Sequence, residues 1–258
     1  MKKYRILSWN VNGLRAVLKK NFLPWFQKDS PDILCLQEAK VQMGQLPPEV
    51  MHFPGYDFQL NSGERPGYSG VVTFSKIKPV SVKKGFGVAR FDNEGRILET
   101  EYPEFTLFNI YFPNGKSGDE RLQYKMDFYE EALKYFMKLR KEGKKLVICG
   151  DVNTAHKPID LARPKPNEKI SGFLPIEREW MDKFVAKGFI DTFRVFDPRP
   201  EQYTWWDIIS RARERNVGWR IDYHFISEDL KPFLEEAFIL PDVMGSDHCP
   251  VGIVLKFK

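Results

Sequence analysis

The chain has 258 residues, of which 42% are hydrophobic and 29% charged, and its formal net charge is +5 at pH 7. No linker-like stretch or charge block divides residues 1–258, so we predict a single domain, long enough to fold without disulfides or a structural metal. The absence of a long apolar run and of a signal-peptide pattern excludes a membrane protein and predicts a soluble protein of the cytoplasm.

The first half of the chain is predicted to consist mainly of strands. Continuous apolar runs at Arg5–Ser8 and Ile33–Leu36 are typical of strands that are buried on both faces. The spacing of apolar residues over Arg15–Lys28 predicts one helix between them. Between Tyr56 and Pro113, strand-forming residues alternate with turn residues, which predicts a meander of mostly antiparallel sheet. Its strands are expected at 70–74, 80–83, 97–102 and 105–111.

The second half is predicted to alternate helices and strands. Arg121–Glu142 has one apolar stripe, which predicts an amphipathic helix leading into a strand at Lys145–Cys149. Pro175–Lys187 is also predicted to be helical, whereas the irregular segment Asp160–Gly172 favours a long binding loop. A short helical stretch within 203–215 and strands at 220–227, 236–240 and 250–257 complete the prediction. This mixture indicates an α/β fold, a four-layer α/β sandwich in which helices flank two packed, mostly antiparallel β-sheets.

Five short polar clusters follow or interrupt these apolar runs. They are residues 9–13, 37–38, 150–153, 220–223 and 245–248. Each brings a carboxylate, an amide or a histidine to a strand end. Polar groups delivered to several strand ends from distant parts of a chain are what a catalytic site on a rigid scaffold needs.

The residue types in the clusters indicate oxygen-based metal chemistry. Carboxylates and amides without a cysteine or histidine cluster suit Mg²⁺, with Mn²⁺ as a substitute, and Glu38 is the first choice of ligand. Asp151 and Asn153 stand two residues apart, so both can point into one pocket, one to handle a proton and the other to hold an oxyanion. The alternative, a plain turn in which both side chains bond their own backbone, leaves the other clusters unexplained.

Two further residues are predicted to form a pair. Asp222 lies in an otherwise apolar strand, where an isolated charge is unfavourable, and His248 follows an aspartate. Pairing Asp222 with His248 neutralises the buried charge and leaves a histidine able to activate water or to neutralise a phosphate. The three cysteines, Cys35, Cys149 and Cys249, share no metal-binding spacing and are predicted to be reduced core residues.

Taken together, the motifs resemble the exonuclease III family of apurinic/apyrimidinic endonucleases, part of the DNase-I-like superfamily of metal-dependent phosphoesterases. The resemblance spans essentially the whole chain, in the family's order. The motifs that carry it are Ser8-Trp9-Asn10-Val11-Asn12-Gly13-Leu14-Arg15, Leu36-Gln37-Glu38, Tyr111-Phe112-Pro113-Asn114, Gly150-Asp151-Val152-Asn153, Asn216-Val217-Gly218-Trp219-Arg220-Ile221-Asp222-Tyr223 and Ser246-Asp247-His248-Cys249-Pro250.

The resemblance implies a role for each matching residue. The implied catalytic residues are Asp151, His248, Asn153, Tyr111 and Asp222. The implied metal shell consists of Glu38, Asn10 and Asp247. Contacts to DNA phosphates are assigned to Asn114, Lys116, Arg121, Lys125, Arg211 and Arg213, and the pocket for the damaged nucleotide to Trp205, Trp219 and Ile221.

The function that the resemblance implies is Mg²⁺-dependent DNA repair. A monomeric enzyme would cleave the phosphodiester 5′ to abasic nucleotides in double-stranded DNA, leaving a 3′-hydroxyl, with 3′ to 5′ exonuclease and 3′-phosphodiesterase activity. Trp205 is larger than the family's common phenylalanine, and Ile209-Ser210-Arg211 replaces its methionine-rich stretch, so base-damaged or deaminated nucleotides are further candidate substrates. The alternatives are a phosphodiesterase acting on phosphoinositides or other small molecules and a non-catalytic module that binds DNA damage.

Overall fold

The computed structural model describes residues 1–257, which form fourteen strands, eight α-helices and several 3₁₀ turns. The strands are β1 (Lys2–Asn10), β2 (Ile33–Gln37), β3 (Asp57–Asn61), β4 (Val71–Ser75), β5 (Ser81–Lys84), β6 (Ile97–Glu101), β7 (Thr106–Tyr111), β8 (Leu146–Asp151), β9 (Phe189–Asp191), β10 (Trp205–Trp206), β11 (Gly218–Trp219), β12 (Asp222–Ser227), β13 (Leu234–Ile239) and β14 (Val251–Phe257). The helices are α1 (Leu14–Leu18), α2 (Phe22–Asp29), α3 (Pro48–Met51), α4 (Ala89–Asp92), α5 (Asp119–Lys141), α6 (Pro164–Asn167), α7 (Pro175–Ala186) and α8 (Thr192–Phe196). None of these helices is both long and apolar enough to cross a bilayer.

Twelve of the strands form two six-stranded sheets. The strand order is β13-β14-β1-β2-β4-β3 in the first sheet and β5-β6-β7-β8-β12-β9 in the second. Each sheet has one parallel pair near its centre, β1 with β2 and β7 with β8, and its other pairs are antiparallel. The remaining strands, β10 and β11, form a short antiparallel ribbon beside the sheets.

The core is divided into layers by these sheets. Side chains from both sheets, among them Ile6 and Cys35 of the first and Leu107 and Val147 of the second, pack in the space between them. The outer face of the first sheet is covered by α1, α2 and α3. The outer face of the second is covered by α5 and α7. The predicted four-layer sandwich is therefore confirmed, and the three cysteines are buried and free as expected.

The apolar runs form strands because the layers bury them on both faces. Every residue of β2, β4, β7 and β8 is buried. A strand buried on both faces reads as a continuous apolar run, so the alternation of a half-exposed strand is absent from these segments. The rigid central strands carry the polar residues that end them.

Two predictions about the first half were wrong in detail. The predicted single helix is two, α1 and α2, because Pro24 lacks the backbone donor that a helix interior requires and is tolerated in the first turn of α2. The predicted meander between Tyr56 and Pro113 is divided, since β3 and β4 join the first sheet and β5, β6 and β7 the second. The local composition of a segment can indicate that it forms a strand, but it does not indicate which sheet the strand joins.

Candidate active site

The polar strand ends meet at one edge of the sandwich. Asn10 ends β1, Glu38 follows β2 and Asp151 ends β8. Asp222 opens β12, which runs antiparallel to β8 so that Asp222 lies opposite Asp151. His248 precedes β14 and completes the group. The two central parallel pairs thus deliver side chains from distant parts of the chain to one place.

Three of these residues, Glu38, Asp151 and His248, line a cavity of about 210 Å³. It is lined by Glu38, Asn114, Lys116, Asp151, Asn153, Ser171, Gly172, Trp205, Trp219, Ile221, Asp247 and His248. Members of all the predicted groups, catalytic, metal-binding, phosphate-binding and nucleotide-binding, therefore face the same space. The cavity has one polar wall and one aromatic wall.

Glu38 and Asp151 are bridged by Asn10. The Asn10 amide Nδ2 donates to Glu38 Oε1 and to Asp151 Oδ2, both at 2.9 Å. Lys40 Nζ lies 2.7 Å from the second Glu38 oxygen. Burial opposes ionisation of Glu38, but the charge of Lys40 and the bond from Asn10 outweigh it and lower the pKa of the carboxyl. Glu38 is therefore anionic at neutral pH, as a ligand of a hard divalent cation must be.

The donor set fits such a cation at Glu38. Ligand atoms of Glu38, Asp151 and His248 lie within 4.8 Å of one another. Two of these residues are carboxylates, the donors that Mg²⁺ prefers. Asn10 Nδ2 faces both carboxylates, while its Oδ1 accepts from the backbone N–H of Asn12 at 3.0 Å. In this orientation the Asn10 amide holds Glu38, and its own place in the metal shell stays a prediction.

Asp247 is engaged in the wall of the cavity. Its Oδ1 accepts from Asn12 Nδ2 and its Oδ2 accepts from the indole N–H of Trp205, both at 3.0 Å. Asn12 also accepts a hydrogen bond from Lys40. Among the described residues, the group of potential ligands around Glu38 does not include Asp247. The position of Asp247 in the metal shell stays a prediction.

Asp222 and His248 form the predicted pair. His248 Nδ1 lies 2.8 Å from Asp222 Oδ2, which also accepts from the Thr204 hydroxyl at 2.6 Å. Burial opposes protonation of His248, but the charge and hydrogen bond of Asp222 outweigh it and raise the pKa of the imidazole to about 10. His248 is therefore a cation at neutral pH, suited to donate a hydrogen bond to an anionic oxygen and unsuited to bind a metal.

Asp151 differs from His248 in that a raised pKa favours the uncharged form of its side chain. Burial and the negative charges of Asp222 and Glu38 raise the pKa of this carboxyl to about 7, despite the nearby charge of His248. The backbone N–H of Asn153 donates to Asp151 Oδ1 at 2.8 Å and fixes its orientation. A buried carboxylate with a pKa near neutrality is matched to accepting a proton from water.

Two amides and a phenol extend the polar wall. Asn153 sits at a left-handed backbone position, with φ of 56°, and its Nδ2 donates to the Phe112 carbonyl at 2.9 Å. Asn114 Nδ2 donates to Asn153 Oδ1 at 3.0 Å. Burial and the negative charge of Glu38 raise the pKa of Tyr111 well above its ordinary value, so its hydroxyl keeps its proton. These groups form a row of fixed donors beside Asp151.

The aromatic wall is built by the short ribbon. Trp205 of β10 pairs with Trp219 of β11, and their rings lie 6.4 Å apart at 79°. Ile221 packs in the same apolar cluster. Lys116 Nζ lies 5.1 Å from the Trp205 ring and 5.9 Å from the Trp219 ring. The wall is therefore an apolar surface with a cation at its entrance.

The predicted phosphate contacts divide into three groups, which are accessible, fully buried or bound to other parts of the protein. Lys116 and Arg211 are exposed, and Asn114 lines the cavity, so all three side chains are accessible to a phosphate group of bound DNA. Lys125 was predicted wrongly: its side chain is fully buried and its ammonium is saturated by protein acceptors. An amphipathic pattern could not reveal this, because the partner carboxylate comes from another helix.

Two of the predicted arginines bind the protein itself. Arg213 donates to the backbone carbonyls of Ser246, Pro241 and Val243. Arg121 is held by the carboxylate of Glu94 and the hydroxyl of Tyr68. Both guanidinium groups tie loops together at the edge of the site, and their predicted contact with DNA stays untested.

Sequence reasoning missed Lys40, which contacts Glu38, and Arg96, which lies under Tyr111. Arg96 is fully buried, with its guanidinium 4.6 Å from the Tyr111 ring centre and Nη1 donating to the Tyr111 carbonyl at 2.9 Å. The spacing of Glu38 and Lys40 was a usable signal, since residues two apart near a strand end share a face. No local signal indicates the burial of Arg96.

Comparison with known proteins shows similarity over nearly the whole chain. Residues 7–248 match the Endonuclease/Exonuclease/phosphatase family. An exodeoxyribonuclease of Bacillus subtilis is 44% identical over 98% of this chain and 99% of its own length. The DNA repair nuclease APEX1 of Danio rerio is 43% identical over 97% of this chain and 82% of its own. The solved structure of an AP endonuclease from Archaeoglobus fulgidus has a TM-score of 0.90 at 29% identity, covering 98% of this chain and 100% of that one.

Proposed function

The chain belongs to the endonuclease/exonuclease/phosphatase family, which confirms the family and the hydrolase class predicted from its motifs. On this premise we propose that it is a DNA repair nuclease that cleaves the phosphodiester 5′ to an abasic nucleotide in double-stranded DNA and leaves a 3′-hydroxyl. The relatives named above are an exodeoxyribonuclease, a DNA repair nuclease and an AP endonuclease, which supports DNA as the substrate.

One observation carries the proposal. Asp151, with the amides of Asn153 and Asn114 beside it, and the aromatic wall of Trp205 and Trp219 border the same cavity of about 210 Å³. A nucleotide turned out of the helix needs an apolar surface for its sugar beside the group that attacks its phosphate. A cavity for a small charged head group would not require an indole wall.

The proposed roles of the residues follow from their charges. Glu38 would hold Mg²⁺, with Mn²⁺ as a substitute, and the cation would supply positive charge to the phosphate as it gains negative charge. Asp151 accepts a proton from the attacking water, consistent with a pKa of about 7. His248, kept cationic by Asp222, and the hydroxyl of Tyr111 donate to the phosphate oxygens. Fixed donors of this kind stabilise the transition state without reorganising.

The proposal extends to related substrates. Cleavage of a 3′-terminal nucleotide or a blocked 3′ end uses the same attack on a phosphodiester, so 3′ to 5′ exonuclease and 3′-phosphodiesterase activities are included. The indole of Trp205 offers a flat surface on which a deaminated base can stack. Action as a monomer and a location in the cytoplasm remain predictions.

The test is cleavage of an end-labelled duplex with one central abasic analogue, next to an undamaged and a deoxyuridine duplex. The expected result is a nick 5′ to the lesion that requires Mg²⁺, stops with EDTA and is lost in Asp151→Asn. The deoxyuridine lane measures how far the pocket accepts an intact base. No cleavage of any duplex, with hydrolysis of a small phosphodiester such as bis-(p-nitrophenyl) phosphate, would favour the small-molecule phosphodiesterase instead. Tight duplex binding without any hydrolysis would favour the damage-binding module.

A further inference from the structure

A fully buried ion pair lies directly behind the cavity. Lys125 of α5 and Glu177 of α7 are both inaccessible to water, and Lys125 Nζ lies 2.6 Å from Glu177 Oε1. Burying two opposite charges costs desolvation energy that their attraction does not reliably recover. The same two helices are also joined by an exposed pair, Lys183 with Glu130. Holding the helices together therefore does not explain why a pair is buried here.

The lysine end of the pair holds the turn that carries Asn153. Besides Glu177, Lys125 Nζ donates to the backbone carbonyl of Asn153 at 2.8 Å and to the Thr154 hydroxyl at 2.9 Å. All three ammonium protons thus have protein acceptors. Asn153 occupies a left-handed backbone conformation, which asparagine tolerates better than most residues, and the bond from Lys125 fixes the carbonyl of that turn.

The glutamate end holds a second segment that lines the cavity, next to the Asn153 turn. Glu177 Oε1 accepts from the Ser171 hydroxyl at 2.8 Å. Its Oε2 accepts from the backbone N–H groups of Gly172 at 2.6 Å and Leu174 at 3.0 Å. Ser171 and Gly172 line the cavity. A Cβ on Gly172 would lie 3.3 Å from the Trp219 ring, so this backbone rests against the aromatic wall.

We propose that Lys125 and Glu177 are positioning residues for the nuclease reaction, an inference that rests on the function proposed above. The ion pair, together with the backbone hydrogen bond from the Ala155 N–H to the Gly172 carbonyl at 2.8 Å, fixes Asn153, on the catalytic side of the cavity, relative to Ser171–Gly172, on the nucleotide side. Neither charged group reaches the cavity, so the pair acts only through the residues that it holds. The phosphate and the displaced nucleotide consequently meet surfaces whose separation is set before they bind.

The test is the neutral double variant Lys125→Met/Glu177→Gln. It removes both charges, so neither is left buried without its partner. With the abasic duplex, kcat is expected to fall by about 10²-fold, because a displacement of about 1 Å in a catalytic group has an effect of that size. The dissociation constant for the same duplex in EDTA should change by less than about threefold, since phosphate contacts dominate it. If the pair only stabilised the fold, the double variant would have a lower melting temperature, but its kcat would not fall while its affinity for the duplex is kept.

Two further variants serve as controls. Lys183→Met/Glu130→Gln removes the exposed pair between the same helices and should leave kcat and binding unchanged. Lys125→Arg keeps the charge but places a larger, planar head group in the buried site, so its kcat should lie between that of the double variant and that of the unmodified protein.

The outcomes separate the inference from the proposed function. An unmodified protein that cleaves no duplex overturns the proposed function. An unmodified protein that cleaves, together with a double variant of unchanged kcat, overturns only the positioning role. If the double variant does not fold, the positioning role is tested with Glu177→Asp. Shortening this side chain by one methylene should lower kcat about tenfold while duplex binding is kept. An unchanged kcat in that variant also overturns the role.

Discussion

Four polar side chains at or just beneath the surface of the cavity are almost completely buried, whereas the loop at its rim carries two strongly exposed isoleucines. The catalytic floor, defined as Asn10, Asp151, Asp222 and His248, is at most 4% exposed. In the rim loop, residues 207–216, Ile208 is 65% exposed and Ile209 is 95% exposed. The floor ends or adjoins central strands, while the rim loop contains only a 3₁₀ turn. The residues to which we assign the chemistry are thus held by the two large sheets, whereas the proposed recognition surfaces, the rim loop and the aromatic wall, lie outside them.

The two regions are also held differently. Members of the floor bind one another, as in the bonds from Asn10 to Asp151 and between His248 and Asp222. The rim loop is fastened mainly by Arg213, which donates to backbone carbonyls of the neighbouring loop. We therefore expect substitutions on the floor to change kcat for every substrate. Substitutions at the rim or the aromatic wall should change the preference among substrates.

The largest effect is expected from Asp151→Asn. It removes the proposed proton acceptor and keeps the shape of the side chain, so nicking of the abasic duplex should fall by up to about 10⁴-fold, the upper range for a general base. Single-turnover cleavage in Mg²⁺ measures the rate, and a filter-binding assay in EDTA should give unchanged affinity. A variant that retains a tenth of the activity would contradict the role assigned to Asp151.

The next effect concerns the pair on the floor. Asp222→Asn removes the negative charge that raises the pKa of His248 to about 10, so in metal-free protein the imidazole should titrate at a clearly lower pH. In the unmodified protein His248 should stay protonated until the pH approaches 10, and in the variant it should lose its proton at lower pH. NMR titration of the imidazole in EDTA measures both.

The same variant should lower kcat by about 10² to 10³-fold at neutral pH, the loss typical of a missing donor to a developing negative charge. Glu235→Gln, at an exposed ion pair far from the floor, provides a control and should leave kcat unchanged. An unchanged titration of His248 in Asp222→Asn would show that the carboxylate does not hold the imidazole in its charged form.

A smaller and selective effect is expected at the aromatic wall. Trp205→Phe narrows the stacking surface and removes the indole donor to Asp247, so cleavage of the deoxyuridine duplex should fall about tenfold relative to the abasic duplex. The ratio of kcat/KM for the two duplexes measures this selectivity. An equal loss on both substrates would mean that Trp205 acts with the catalytic floor and does not set the preference among substrates.

The smallest effect concerns metal affinity. Lys40→Met removes a positive charge 2.7 Å from Glu38, so the divalent cation should bind more tightly. Charges a few ångströms apart interact by about 1 kcal/mol in a water-like environment, which corresponds to about fivefold in affinity. Titration with Mn²⁺, followed by electron paramagnetic resonance of the free ion, measures it. Weaker binding would mean that Lys40 supports Glu38 as a ligand and does not compete with the cation.

Much of the floor could be predicted from the sequence because each residue lies next to a recognisable apolar strand, either at its end or at its start. Glu38 and Asp151 are the first polar groups after β2 and at the end of β8, and the charge of Asp222 required a partner. Lys125 could not be predicted, because its burial depends on Glu177, which lies 52 residues further along the chain. For the same reason, the sequence could not show that β3 and β4 belong to one sheet and β5 to the other. Both depend on contacts between distant segments, which local patterns do not report.

The central place of β1 in the first sheet has a consequence for how the molecule comes into being. One edge of β1 pairs with β14, the last of the described strands, and the Trp9 indole donates to the His248 carbonyl at 3.1 Å. During translation this edge of β1 therefore stays unpaired until β14, the last of the described strands, has been synthesised. Pairings between such distant segments form slowly. A partly synthesised copy leaves that edge open and has no assembled floor. The capacity to cut a strand of DNA would thus arise only in a chain that has been made through β14.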